Sequence, residues 1–121
     1  MPKIEQKIIK GGVKLIFVQD KKFKRSSALI SFDIGRHTTS HKEFSALHIL
    51  EHLILEGNEE YPSPQKELFK NNCEVNGEVN NDTIRFWIAA KEAEFYNNLE
   101  LLTKLILNPL LSDTKLAQEK R

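Results

Sequence analysis

The stretch that most limits what this chain can fold into is Glu43 to Gly57, EFSALHILEHLILEG, which carries His48, Glu51 and His52 in the order H-x-x-E-H. It is long, lacks proline, is rich in Leu, Ala, Ile and Glu, and stops at Gly57-Asn58, all of which predict a helix. At ~100° per residue, His48 and His52 fall one turn apart and point the same way, with Glu51 on the flank of that face. Ala46, Ile49, Leu50, Leu53 and Ile54 form an apolar arc on the other side, which predicts that the histidines lie outside the core stripe. Neutral imidazoles one helical turn apart are suited to hold Zn²⁺, and a nearby Glu that does not bind the ion can take a proton from the water the ion holds. A lone helical histidine is usually a surface or satisfied core residue. Three residues fixed at this spacing on one face argue for a metal site instead.

At 121 residues and 40% hydrophobic composition the chain can bury a core, and 1–121 reads as one domain or part of a larger one. Eighteen Lys and Arg against 17 Asp and Glu leave a net charge of +1, so there is no electrostatic case for nucleic acid. The basic run Lys21 to Arg25 reads as a solvated turn between strands. The single cysteine, Cys73, excludes an internal disulfide and a cysteine-based zinc cluster, and reads as an ordinary partly buried thiol. The N-terminus MPKIEQKIIKGG has no apolar signal core, and no apolar run approaches the ~20 residues of a membrane span. A soluble, cytoplasmic protein is expected.

Along the chain, Ile4–Ile9 and Val13–Val18 are β-rich runs joined by Lys10-Gly11-Gly12, a hairpin. Ser27–Ile34 alternates as a third strand, with Ala28, Ile30, Phe32 and Ile34 on one face, and ends at Gly35. Arg36–Lys42 is a polar loop, and its His37 and His41 are assigned to solvent because loops between strand and helix usually are. Pro64–Lys70 is a short helix, with Ser63 placed to cap it and Pro64 at its first position. Glu74–Val79 and Thr83–Ala89 are strands about an Asn80-Asn81-Asp82 turn. Lys91–Asn108 is a core-packing helix with Phe95, Leu99, Leu102 and Ile106 at helical spacing, stopped by Pro109. Ser112 or Asp113 could cap a final helix from Thr114. The order implies an α+β fold: an antiparallel or mixed sheet with helices packed on one face.

With its elements in this order, the chain resembles the N-terminal half of the catalytic domain of the pitrilysin-type zinc metallopeptidases, the M16 or inverzincin family. The matching features are a hairpin, a strand ending in Gly35, HILEH followed by Glu56-Gly57, then Glu67–Phe69, Asn76, Thr83 and a helix ending in LNPLL. The HxxEH order is a zinc-peptidase signature. The resemblance implies that His48 and His52 bind Zn²⁺, that Glu51 is the general base, and that the substrate is a peptide. It places Asn76 on a strand edge where an extended peptide is held by strand addition. Asn76-Gly77 is equally a good turn dipeptide. Glu119 matches the first of a downstream pair of family glutamates and would assist near the metal; a solvated helix-end glutamate is the other reading. The second glutamate of that pair, the third zinc ligand, would fall beyond Arg121. Glu78, Asp82 and Asp113 are possible substitutes with nothing to choose between them. Ser45, Leu53 and Asn58 stand where the family usually has Gly, Met and Thr.

Apart from the resemblance, one reading is an unrelated α+β interaction module in which the histidine pair is incidental; with it, two functions follow. One is a zinc endopeptidase, or its N-terminal piece. The other is a non-catalytic relative that pairs with an active subunit, as a homo- or heterodimer, and helps enclose a peptide.

Overall fold

The computed structural model describes residues 2–70 and 72–109. Glu119 and the helix expected from Thr114 lie outside the described residues.

Two strands, β1 (Lys3–Ile9) and β2 (Val13–Gln19), form an antiparallel hairpin that turns at Gly11 and Gly12, both at positive φ. The hairpin is a two-stranded sheet of its own, and Ile4, Ile8, Val13, Ile16 and Val18 are exposed on it. The main sheet holds β3 (Arg25–Phe32), β5 (Ile84–Lys91) and β4 (Glu74–Val79) in the order β3-β5-β4, antiparallel throughout. The central strand β5 alternates strictly. Ile84, Phe86, Ile88 and Ala90 are buried on one face, and Arg85, Trp87 and Ala89 are half-buried on the other. This is the period-2 pattern of a sheet with one face against helices.

Those helices are α1 (His41–Glu56) and α3 (Glu92–Leu107), with the short α2 (Pro64–Lys70) beside them. Ile54 of α1, Leu68 of α2 and Leu101, Leu102 and Leu105 of α3 close over Ile84, Phe86 and Ile88 to make the core. At a few kcal/mol for each fully buried aliphatic or aromatic side chain, this apolar cluster is the main favourable term holding the sheet to the helices.

The α+β expectation holds, with the sheet wholly antiparallel. Several boundaries move. Arg25 is the first residue of β3 rather than part of a solvated turn; it pairs with Lys91, and its guanidinium donates to the carbonyl of Ala89 at 3.0 Å. The strand ends at Phe32, and Phe32 and Ile34 are exposed rather than core-facing. Part of the expected polar loop winds into a 3₁₀ turn at Arg36–Thr38, docked on the β4–β5 turn by bonds from Arg36 N to Asn80 O (3.0 Å) and His37 N to Asn81 O (2.8 Å). Asn76-Gly77, offered as a turn, lies within β4. Cys73 is buried.

Candidate metal centre

Helix α1 begins two residues before Glu43. Ser40 caps it, its hydroxyl accepting from Glu43 N at 3.2 Å and donating to the Glu43 carboxylate at 3.1 Å. It ends at Gly57, whose φ of 119° takes the chain out of helical geometry. The buried side of α1 is centred on Leu53 and Ile54 with Leu50 partly buried, while Ala46, expected in the apolar arc, is exposed.

On the exposed side the two imidazoles stand together, their centroids 4.7 Å apart and their planes at 82°. The His48 and His52 side chains are 63% and 48% exposed, whereas that of Glu51 is only 8% exposed. The sequence placed Glu51 on the flank of the histidine face, and the structure places it beneath that face. The helical wheel sets Glu51 at the margin between the two sides of α1, and β4, which packs against α1, closes over that margin. Glu51 Oε2 lies 3.9 Å from His48 Nε2 and 3.5 Å from His52 Nε2.

One ligand atom from each of the three residues falls within 4.8 Å of the others, the one such convergence of His, Cys, Asp or Glu among the described residues. Two nitrogens sharing a zinc ion at ~2.0–2.1 Å each must lie within about 4.2 Å of one another, so small side-chain rotations bring the pair to bonding geometry. The donor set fits zinc: two accessible imidazoles, and a carboxylate held in a drier layer below them.

The other residues singled out from sequence are placed elsewhere. Asn76 pairs across the sheet with Trp87 on the face away from α1, and its Oδ1 accepts from Gly77 N at 2.8 Å. The structure therefore does not bring its side chain to the histidines, although its main chain runs on β4 beside them. Glu78 is held by Arg85, whose Nε donates to it at 2.8 Å, and Asp82 faces His37 at 3.3 Å, so neither joins the cluster. His41 opens α1 and is exposed.

Two residues to which the sequence reading assigned no part in the site pack around it. Asn58, buried just past α1, donates through Nδ2 to the carbonyls of Lys104 (3.3 Å) and Asn108 (3.0 Å) and accepts from Tyr61 N (2.7 Å). It thereby ties the end of α1 to the last turn of α3. Gly77 is the other, and a glycine inside a strand pattern is itself a sign of close backbone approach.

The profile of the Insulinase (Peptidase family M16) family matches residues 14–121. Among solved structures the fold is similar to that of a protease from Helicobacter pylori, with a TM-score of 0.88 at 20% sequence identity, covering 99% of this chain and 29% of that one. The chain thus spans less than a third of that protease's length. No curated protein matches it in sequence. Among the described residues, no helix is long and apolar enough to cross a membrane.

Proposed function

The chain belongs to the insulinase family of peptidases, family M16, and from that premise we propose that it is the metal-binding part of a zinc endopeptidase, with His48 and His52 as zinc ligands and Glu51 as proton acceptor. The observation that carries the reading is the convergence of two exposed imidazoles over one buried carboxylate. Bound zinc supplies a Lewis acid able to make water nucleophilic near neutral pH. Glu51 is placed to take the proton at Oε2, and its burial against β4 limits the orientations its carboxylate can adopt.

Among the described residues β4 pairs only with β5. Its second edge therefore offers main-chain N–H and C=O groups to an extended peptide, alongside the histidines. In this reading Asn76 contributes its backbone at that edge, and its side chain orders the strand by accepting from Gly77 N. Glu119, outside the described residues, assists near the metal in this reading. The test is Glu51→Gln in the full-length protein. Peptide hydrolysis is expected to fall by about 10²-fold or more with bound zinc retained; undiminished cleavage removes Glu51 from the mechanism.

One observation favours a second reading, a non-catalytic pairing subunit in a homo- or heterodimer that encloses a peptide. Of the acidic substitutes for a third ligand within the described residues, Glu78 is engaged by Arg85 and Asp82 faces His37. Stoichiometric, tightly held zinc together with hydrolysis by the full-length protein alone rules this reading out.

A further inference from the structure

Gly77 lies in β4 opposite Phe86 of β5, on the side of the sheet that faces α1. A Cβ at this position would stand 2.9 Å from Glu51 Oε1, 3.1 Å from Glu51 Cγ and 3.1 Å from Phe86 Cδ1. Each is well inside the ~3.5–4.0 Å of a relaxed carbon contact. The two neighbours are not equally able to yield. The Phe86 ring is fully buried in the core between the helices and the sheet, where displacement would disturb a close-packed cluster. The Glu51 carboxylate is the far end of a side chain with three rotatable bonds, and it lies beneath the exposed histidine pair.

We propose that Gly77 is a positioning residue for Glu51. By lacking a Cβ it lets the β4 backbone close on the carboxylate, bury it, and leave Oε2 within 3.9 Å of both histidine Nε2 atoms. An added methyl group would be accommodated by rotating Glu51 away from the imidazoles, with little consequence for the fold. The inference rests on the peptidase reading only where hydrolysis is measured; the displacement of the carboxylate stands on packing alone.

The experiment is Gly77→Ala in the full-length protein, followed by its crystal structure, zinc content and steady-state kinetics. The expected result is an unchanged core with Phe86 in place, a Glu51 carboxylate moved by about 1 Å or more, and zinc retained. With it, kcat falls about 10²-fold while KM stays within about twofold, because a misplacement of that size costs roughly this much in rate. A Glu51 that keeps its place while β4 or Phe86 moves overturns the proposal, as does a displaced carboxylate with unchanged kcat. Should the wild-type protein hydrolyse no peptide, the peptidase reading fails, and the crystal structure of the variant still decides the positioning role. Should Gly77→Ala fail to fold, the double variant Gly77→Ala/Glu51→Ala decides. Recovery of folding identifies Glu51 as the group the methyl strikes, and continued failure assigns the conflict to Phe86 or backbone and refutes the proposal.

Discussion

Replacing Asn58 by alanine tests how the C-terminal end of α1 is anchored. Asn58 is 2% exposed, and its side chain makes three hydrogen bonds: two donated to the Lys104 and Asn108 carbonyls and one accepted from Tyr61 N. At a net ~1 kcal/mol for each bond, with buried partners left unsatisfied, Asn58→Ala is expected to cost about 3 kcal/mol. With an m value of about 1.5 kcal/mol/M, the urea midpoint falls by about 2 M. The single tryptophan, Trp87 on the outer face of β5, gives a fluorescence signal far in sequence from the substitution. Asn58→Asp separates the donor role from the acceptor role. It keeps an oxygen for Tyr61 N but sets a negative charge against carbonyls at the C-terminal end of α3, where the helix dipole disfavours it. Aspartate is therefore expected to be no better than alanine. A loss below about 0.5 kcal/mol for alanine, or a clear advantage for aspartate, would refute the capping account.

Gly57→Ala is expected to destabilise more than Gly12→Ala. Both positions have positive φ, but a Cβ at Gly12 meets open space, whereas one at Gly57 strikes the Tyr61 carbonyl oxygen; thermal melts of the two variants check the order. Burial pushes the Cys73 thiol above its usual range, against the lowering effects of a hydrogen bond involving Ala89 and of Arg25. Alkylation at pH 8 should accordingly be slower in the folded chain than in urea. The unfolded thiol loses its proton first, so this group's contribution to stability is intact below the ordinary thiol range and is lost as pH rises through that range toward the raised folded value. Equal alkylation rates in the two states would show the thiol to be accessible.

The parts of the fold that depend on local pattern were legible in the sequence. Pro64–Lys70 and Glu74–Val79 have the boundaries expected from Pro64 and from the asparagines that flank the strand. The histidine pair was legible because helical periodicity alone puts residues four apart on one face. What was not legible depends on partners distant in sequence. The burial of Glu51 arises beside a strand 26 residues later, where the facing residue, Gly77, carries no side chain. Arg25 joins β3 because β5 extends to Lys91 and offers it a partner. In α3 a single row was expected to face the core, with Phe95, Leu99, Leu102 and Ile106. Of these Leu102 is fully buried and the rest are partly buried, while Leu101 and Leu105 join the core because the helix packs on β3, β5 and α1 together, widening its buried arc. Asn58 stood out only as a departure from the family's Thr, since nothing near it in sequence tells a buried, bonded asparagine from one in a loop.

The central claim is that His48 and His52 jointly hold a zinc ion above Glu51. Calorimetric titration of zinc into the metal-stripped full-length protein tests it most directly. One ion per chain is expected, with affinity weakened by more than about a hundredfold in both His48→Ala and His52→Ala, since losing even an outer-shell partner costs 10–100-fold, and retained in Glu51→Gln. Zinc binding that survives both histidine substitutions, or that is absent from the wild-type protein, would contradict it.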